Sequence, residues 1–388
     1  MFGDTKGAGK AGTVPYFPSG SWACGQLRRG GIRGDAGVRG RARLQQRQQR
    51  CEPVSPERSA RKRAETHNDV ELCFPQLLNA SCTRPKRPHS EVILTELVLS
   101  CITLLTATLN TMVIISISLV KQLHTPTNLL LLSLAVSDFF VGLLIVIQMI
   151  NIDGCWPLND FMCSLFYVIE CSITSVSVGN MVLISLDRYV AICDPMHYST
   201  KVTPKRVKVC VCLCWTSSII FQTLLLRDNL EQPGKHVSCH GECVVGSNSI
   251  AAAADVIFTF IGPVTVIVVL YVRVFAVAVS QARAMRAHVV TLQGSVKVTA
   301  KKSEIKAART LGVVVVVFLI CICPYYCVFL SSNVHNALSV AFVVCLFYFN
   351  SCLNPVIYAF FYPWFRKCLR LIFTLQILKP GSREANIL

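Results

Sequence analysis

Two carboxylates stand inside long apolar runs of the sequence, where a negative charge needs a compensating group. Glu170 lies in the stretch FYVIECSIT, and Asp255 interrupts the stretch SIAAAADVIFTFIGP. A charge in a poorly hydrated setting is costly to bury unless another group compensates for it. Acidic residues inside membrane-spanning segments are functional by default, because lipid-facing acids are strongly disfavoured. Both acids therefore predict a place that binds a cation, although each could instead pair with a buried polar neighbour or face water.

The apolar residues of the chain are grouped into long runs, whereas those of a soluble domain are dispersed along the sequence. The chain has 388 residues, of which 53% are hydrophobic and 15% charged, and its formal net charge is +17. Much of the basic charge lies before residue 90 and between the apolar runs. A nucleic-acid binder would combine such basic residues with a soluble core, which the sequence does not show. The composition indicates a membrane protein whose partner is the lipid bilayer, and it argues against binding to nucleic acid.

Seven of the apolar runs are long enough for a helix to cross a hydrocarbon core of about 30 Å. Because backbone amides in hydrocarbon must be paired within their own segment, each run predicts a helix. The sequence therefore predicts an all-α membrane protein, a seven-transmembrane helix bundle within residues 92–365. The predicted spans are Val92–Val120, Asn128–Ile150, Met162–Leu186, Val207–Leu226, Ser249–Phe275, Ala307–Ser331 and Ala337–Phe361.

The distribution of lysine and arginine at the span ends predicts the orientation of the bundle. The segments that follow spans three and five are basic, and the last span is followed by Arg366, Lys367 and Arg370. The connections at residues 151–161 and 331–336 contain no lysine or arginine. By the positive-inside rule, we expect a plasma-membrane protein with its N-terminus outside and its C-terminus in the cytoplasm.

The N-terminal part of the chain differs in composition from the bundle. Residues 1–64 are rich in Arg, Gly and Gln and contain no apolar run, so they are expected to form a disordered basic extension. A mispredicted start or a fused exon is an equal alternative to a functional tail for this region. Residues 65–91 form the predicted extracellular segment, in which Asn79 begins the glycosylation sequon Asn-Ala-Ser.

The sequence after the last span predicts a short amphipathic eighth helix on the inner leaflet, followed by a cytoplasmic tail within residues 366–388. The stretch WFRKCLRLIF follows Pro363 and alternates basic and apolar residues. Cys368 in this stretch is a candidate for palmitoylation, and a chance juxtamembrane cysteine is the alternative.

Short motifs at fixed places in the predicted spans resemble a known family. Span three ends in Asp187-Arg188-Tyr189, and span seven contains Asn354-Pro355 followed by Tyr358. Together they resemble the rhodopsin-like G-protein-coupled receptors over roughly residues 92–375, with support from Asn110, Asp138, Trp215, Pro263 and Pro324. The stretches NSCLNPVIYAFFYPWF, CFPQLLNASC and KQLHTPTN are similar to the trace amine-associated receptors in particular, including fish receptors of the olfactory type.

This resemblance implies an amine-sensing receptor and not an enzyme. Glu170, seven residues after Cys163, takes the place where amine receptors bind the ligand's ammonium with an aspartate. Asp255 matches an acid through which some fish receptors of the subfamily recognise amines. Two acids on facing helices predict a diamine or polyamine, and a monoamine held by one acid is the alternative. Tyr325, Tyr326 and Tyr348 are expected either to supply cation–π contacts or to serve in helix packing.

The resemblance also implies two sites deeper in the bundle. Asp138 resembles the centre of a sodium-binding cluster, with a structural polar network as the alternative and no other cofactor expected; its other members are Asn110, Ser177, Asn350, Ser351 and Asn354. Arg188 is expected to contact a heterotrimeric G protein of the Gs/Golf type, which raises cyclic AMP, or to form a resting ion pair with Glu304. The remaining members of this predicted switch are Asp187, Tyr189, Tyr271 and Tyr358. A receptor kinase and arrestin are further expected partners.

The resemblance further implies two disulfides at the outer end of the bundle. Cys163 is expected to pair with Cys243, and Cys239 with either Cys73 or Cys82. Cys155 is then expected to be left over.

Two residues depart from the family's pattern and keep other functions open. Ile322 stands where the family usually has a tryptophan, and Cys345 stands where an aromatic residue commonly closes the pocket. A divergent receptor with a non-amine ligand or weak coupling is therefore the first alternative. A membrane transporter is the second, although its paired discontinuous helices or internal repeats are not evident in the sequence.

Overall fold

The computed structural model describes residues 71–77, 80–84, 88–152, 154–289, 295–330, 337–374 and 376, without the side chains of residues 281–311, 329 and 337–339. The predicted basic extension, the sequon residue Asn79, the side chain of Glu304 and the tail after residue 376 lie outside this part of the chain.

In the described part of the chain, seven long helices follow one another and match the seven predicted spans in order. They are α1 (His89–Leu119), α2 (Pro126–Ile152), α3 (Asp160–Cys193), α4 (Pro204–Leu225), α5 (Ser249–Asp255, continued by the π-helical Val256–Ile261 and by Gly262–Val289), α6 (Ser295–Leu330) and α7 (Ala337–Phe361). A shorter helix, α8 (Pro363–Phe373), follows α7, and single turns of helix occur at Lys121–Leu123, Tyr198–Lys201 and Arg227–Glu231.

Length and composition fit a membrane-spanning bundle. In the described part of the chain, α1, α2, α3, α4, α5 and α7 are each long and apolar enough to cross a membrane. In α6 the apolar stretch Gly312–Val328 is shorter. The only β-structure among the described residues is two isolated bridges, Leu72–Thr83 and Ser81–His240. The prediction of an all-α, seven-helix membrane protein is confirmed.

Side chains at the helix starts explain where several of the spans begin. The Oδ1 atom of Asn159 accepts a hydrogen bond from the backbone N–H of Met162 and so caps α3. Thr203 caps α4 in the same way, and Pro204 occupies the first helical position, where its missing N–H costs nothing. Asn248 caps α5 by accepting from the N–H of Ala251.

α3 is the central helix of the bundle, because it contacts α2, α4, α5 and α6. Two clusters of buried apolar side chains stabilise the packing around it. One contains Trp156, Tyr167 and Tyr348, and the other contains Met181 and Phe318. The two clusters lie towards opposite ends of α3, and polar residues of the predicted sites lie among them.

Among the described residues, three disulfides join the segments at one end of the bundle, which we call the disulfide end. The expected bond between Cys163 and Cys243 is present and ties the start of α3 to the loop before α5. Cys239, for which two partners were open, pairs with Cys82. The expectation that Cys155 is left over is wrong, because Cys155 pairs with Cys73 at a Cα–Cα distance of 5.3 Å.

The backbone around the third disulfide explains why Cys155 has a partner. The N–H of Trp156 donates to the carbonyl oxygen of Gly241 at 2.8 Å, which draws the α2–α3 connection against the loop before α5. The N-terminal segment is fixed to the same loop, since the N–H of Cys82 donates to the carbonyl oxygen of His240 at 2.8 Å. Both connections bring Cys73 next to Cys155, a proximity that residue spacing alone does not encode.

The helix α8 packs one side against α1. Trp364, Phe365 and Cys368 are buried, whereas Arg366 and Lys367 are exposed. That α8 lies on a membrane leaflet stays a prediction, and so does the palmitoylation of Cys368. The side chain of Cys368 is 0% exposed, so it would have to turn outward before a fatty acid could be attached.

Candidate functional site

Glu170 lies on α3, two turns from the disulfide of Cys163 and about 10 Å further along the helix axis. Its side chain is buried at 4% exposure. The hydroxyl of Tyr348 on α7 donates a hydrogen bond to Glu170 Oε1 at 2.6 Å. This donor is a neutral hydroxyl, so the bond brings no positive charge next to the carboxyl group. Glu170 therefore joins α3 to α7 and keeps a charge-binding role open.

Asp255 lies on α5, in the same half of the bundle, and is also buried at 7% exposure. It is the last residue before the π-helical turn, and such turns shift the register of the residues that follow them. In this turn Val256 and Thr259 are buried, whereas Ile257 and Phe258 are exposed. The Thr259 hydroxyl donates to the backbone carbonyl of Asp255 at 2.6 Å, so both polar residues face the interior.

Gln222 on α4 connects Asp255 to α3. Its amide Nε2 donates to Asp255 Oδ1 at 2.8 Å and to Ser175 Oγ at 3.0 Å. The Ser175 hydroxyl gives its own hydrogen to the carbonyl of Cys171 at 2.8 Å, which leaves an oxygen lone pair for the amide. Gln222 is 1% exposed, so α3, α4 and α5 meet at a fully buried polar group.

A chain of aromatic contacts runs from the Asp255 side of the bundle to Glu170. The Tyr326 hydroxyl lies 3.4 Å from Thr259 Oγ1, and its ring stacks on Phe260 with a centroid distance of 4.1 Å. The ring of Tyr325 then contacts Tyr326 at 5.4 Å and Phe347 at 4.8 Å.

The last ring contact of this chain reaches the first acid. Phe347 meets Tyr348, the hydrogen-bond donor to Glu170, edge to face at 5.4 Å. The three tyrosines predicted near the acids are thus brought together on α6 and α7. These contacts also serve helix packing, which was the alternative interpretation.

Asp138 on α2 is fully buried and accepts three side-chain hydrogen bonds. Ser177 and Ser351 donate to Oδ1 at 3.3 and 2.9 Å, and Asn354 donates to Oδ2 at 2.8 Å. Asn110 joins the cluster indirectly, because its amide donates to the backbone carbonyl of Ser351 at 3.0 Å. The network is thus built from α1, α2, α3 and α7.

The cluster around Asp138 offers more acceptors than donors. Among the described residues, the buried Oδ1 atoms of Asn110, Asn350 and Asn354 have no hydrogen-bond donor. Within the described contacts Asn350 does not bond to Asp138, but it lines a small cavity together with Ser177 and Ser351. A carboxylate surrounded by neutral oxygens is the donor set that a hard cation such as sodium prefers. These residues fit the predicted ion.

Arg188, near the other end of α3, is 8% exposed and forms an ion pair with the preceding residue, Asp187. Its Nε donates to Asp187 Oδ2 at 2.9 Å, and one terminal nitrogen donates to Thr127 Oγ1 of α2 at 2.5 Å. The hydroxyl of Tyr198, in the loop after α3, donates to Asp187 Oδ1 at 2.8 Å. Burial and the negative charge of Asp187 raise the pKa of Tyr198, so this hydroxyl stays protonated and able to donate.

In the described contacts, the other tyrosines of the predicted switch make no hydrogen bond to the ion pair of Arg188 and Asp187. The hydroxyls of Tyr271 and Tyr358 are buried and, within the described region, have no hydrogen-bond partner. Tyr189 packs against Ile192 of α3 and Val274 of α5. The predicted pair between Glu304 and Arg188 involves a side chain outside the described residues.

Comparison with known proteins identifies the family. Residues 109–358 match the family described as 7 transmembrane receptor (rhodopsin family). The chain is 34% identical to trace amine-associated receptor 13c of Danio rerio over 338 residues, which cover 84% of this chain and 98% of that protein. It is 36% identical to trace amine-associated receptor 8b of Mus musculus over 335 residues, which cover 82% of this chain and 96% of that one. The chain belongs to the trace amine-associated receptors of the rhodopsin family. It is a multi-pass plasma-membrane receptor and not an enzyme.

Two departures from the receptor pattern lie on α6 and α7. Ile322 on α6 is 4% exposed and lines the small cavity with Phe318, Phe347 and Asn350. Cys345 on α7 is partly buried and packs against the aromatic cluster of Tyr167 and Tyr348. Open space therefore adjoins Ile322 in the interior of the bundle.

The sequence interpretation missed Gln222 and Ser175 in this receptor. Gln222 is a polar residue inside the apolar run of α4, seven residues after Trp215, so the signal that singled out Glu170 was present there too. Ser175 gave no such signal, because serines are frequent in α3 and satisfy themselves with helix carbonyls.

Proposed function

We propose that this receptor senses a cationic amine, which it binds between α3, α5 and α7 at the disulfide end. The observation that carries the proposal is Glu170, an acid at 4% exposure that accepts a hydrogen bond from the neutral hydroxyl of Tyr348. An ammonium about 4 Å from such a carboxylate gains on the order of 4 kcal/mol at an effective dielectric of about 20, before its own desolvation is counted. The nearby aromatic rings add cation–π attraction.

The second acid specifies the ligand further, as a diamine or a polyamine. Asp255 lies on α5 in the same half of the bundle, and its donor, Gln222, is also neutral. Two buried acids in the same half of the bundle match a ligand with two separated positive groups. A monoamine held by Glu170, with Asp255 tuning the local field, is the competing form of the same proposal.

In the proposed orientation the disulfide end faces the outside of the cell, and the C-terminus lies in the cytoplasm. The three disulfides support this, because disulfides persist in oxidising surroundings. The basic segments after α3 and α5 support it as well, since lysine and arginine concentrate on the cytoplasmic side.

The cluster around Asp138 is proposed to hold a sodium ion. Asp138 would supply the charge, and Ser177 and Ser351 would supply neutral oxygens from α3 and α7. Three amide oxygens of the cluster lack a donor among the residues that the structure describes, and this supports the proposal, because a buried acceptor without a partner is costly. The bound ion would stabilise the arrangement of helices in which these oxygens converge.

Coupling is proposed to run through the end of the bundle that carries Arg188, to a heterotrimeric G protein of the Gs/Golf type that raises cyclic AMP. Outward movement of α6 would let Arg188 break its ion pair with Asp187 and contact the G protein. The receptor would thereby shift from a resting to an active state. Charge reversal of Glu304 is expected to raise basal signalling. A receptor kinase and arrestin would follow activation, and olfactory neurons are the proposed setting.

A dose–response panel in transfected cells tests the ligand class. Monoamines and α,ω-diamines of increasing chain length are applied to the parent, Glu170→Gln and Asp255→Asn, with cyclic AMP and surface expression as readouts. Diamines are expected to be more potent than monoamines, and each variant should lower diamine potency. If monoamines outperform diamines of every length, the role of Asp255 is wrong.

A divergent receptor with weak coupling is the second proposal, favoured by Ile322 and its cavity. It is separated from the first by ligand binding, because an amine would then displace a fluorescent ligand without raising cyclic AMP. Uptake of a radiolabelled amine in the same cells tests the transporter alternative, and saturable uptake would support transport instead of signalling.

A further inference from the structure

In the side-chain amide of Gln222, the nitrogen donates hydrogen bonds, and the oxygen has no donor within the described contacts. Nε2 donates to Asp255 and Ser175, whereas Oε1 is buried and has no hydrogen-bond donor among the described residues. The carboxylate of Asp255 can only accept, so the amide nitrogen must face it and the amide cannot be turned over. Oε1 is therefore fixed as an unused acceptor beside a carboxylate.

Asp255 Oδ1 and Gln222 Oε1 are close enough to share one ligand group. The hydrogen bond of 2.8 Å and the geometry of a planar amide place the two oxygens about 3.6 Å apart when Nε2 donates to Asp255 through the hydrogen on the side of Oε1. A primary ammonium carries three N–H donors, and two of them reach a pair of acceptors at this separation with N–H···O angles of about 155°. A fully methylated amine head has at most one donor and cannot satisfy both oxygens.

We propose that Gln222 and Asp255 together form a subsite for a primary ammonium group, in which Gln222 Nε2 orients the carboxylate and Oε1 accepts directly from the ligand. The subsite selects –NH₃⁺ over methylated amines at the end of the ligand that reaches α5. This inference rests on the proposed amine function and deepens it, because it assigns a chemical class to one end of the ligand.

A water molecule bound to Oε1 is the competing explanation, since buried polar groups are commonly satisfied by water. The two explanations predict different results. If Oε1 only binds a water molecule, replacing Gln222 should not change the ratio of potencies between a primary and a methylated amine.

The test compares 1,5-diaminopentane with its N,N,N′,N′-tetramethyl derivative, using cyclic AMP and surface labelling. Both ends are methylated so that the ligand cannot present a primary end by turning round. In the parent, tetramethylation should lower potency roughly 10- to 100-fold, as expected for lost hydrogen bonds to a charged group. Gln222→Leu keeps the volume and removes both amide functions. In this variant the ratio of potencies between the primary and the tetramethylated diamine should shrink to about threefold or less, mainly because the primary diamine binds more weakly.

Ser175→Ala is the matched control, because it removes the other partner of Nε2 and leaves Oε1 and Asp255 in place. It should keep most of the parent's ratio between the two amines. Gln222→Met is the second variant if Gln222→Leu does not reach the surface. A parent that responds equally to both amines, or a Gln222 variant that keeps the full ratio, overturns the subsite.

The same panel separates this inference from the proposed function. Loss of diamine potency in Asp255→Asn together with an unchanged ratio in Gln222→Leu rejects the subsite and retains the second acid. An Asp255→Asn variant with the parent's diamine potency rejects the second acid, and the subsite with it. No response of the expressed parent to either amine rejects both.

Discussion

Replacing Glu170 by glutamine tests the central claim with the smallest change in shape. Glutamine has nearly the same volume and keeps an oxygen that accepts from the Tyr348 hydroxyl, which lies 2.6 Å from Oε1 in the parent. The substitution therefore removes the charge and spares the link between α3 and α7. It also gives an amide that can donate to Tyr348, so the local packing is retained.

The expected loss follows from the charge and burial of this site. The Coulomb gain of about 4 kcal/mol at 4 Å is reduced by desolvation of the ammonium, and hydrogen bonds to charged groups contribute about 1.5 to 3 kcal/mol net. Since 1.4 kcal/mol is a factor of ten, amine potency should fall roughly 10- to 100-fold. Tyr348→Phe, which removes the donor and keeps the charge, should lower potency by about tenfold at most.

The assay is an amine dose–response curve with cyclic AMP as the readout, on cells with equal surface labelling of each variant. Basal signalling driven by an overexpressed G protein provides a check that the variant still couples. A Glu170→Gln potency within about threefold of the parent, with coupling intact, would refute the reasoning, because the buried charge would then not meet the ligand.

Three further predictions follow from other contacts. Non-reducing peptide mapping should recover a peptide that links Cys73 to Cys155, and Cys155→Ser should make Cys73 reactive towards an alkylating reagent; a Cys73 that is equally alkylated in the parent would contradict the pairing. Tyr198→Phe should lower the thermal stability of the purified receptor by about 1 kcal/mol, because Asp187 loses a donor at 2.8 Å; an unchanged unfolding curve would show that the loop contact contributes nothing. Replacing sodium by a larger organic cation should change the amine potency of the parent and not that of Asp138→Asn, and equal responses of both would argue against an ion at this cluster.

Much of the fold could be predicted from the sequence, because hydrophobicity along a helix is a local property. Each apolar run needed only its own length to predict a span, and Ala337–Phe361 has the same bounds in the prediction and in the structure. The ends of α3 and α6 were predicted too short, because both helices continue beyond the apolar run into polar sequence. Hydrophobicity carries no signal for such polar turns.

The two acids could also be predicted, since a carboxylate within an apolar run is visible in the sequence itself. Their partners could not be predicted in the same way. Tyr348 is 178 residues from Glu170 along the chain, and Gln222 is 33 residues from Asp255. Which side chains meet depends on the rotation and depth of each helix, and the π-helical turn after Asp255 sets part of that rotation.

The sequence by itself determined that this is a seven-helix membrane receptor with buried acids, because charge, apolar length and short motifs are properties of residues close together in the chain. Only the tertiary structure decided that Cys155 pairs with Cys73, that Asn350 points at a cavity beside Asp138, and that Gln222 holds Asp255 while keeping one oxygen for another partner. These contacts join different helices and loops, so they arise only when the packing of the whole bundle fixes the distances between them.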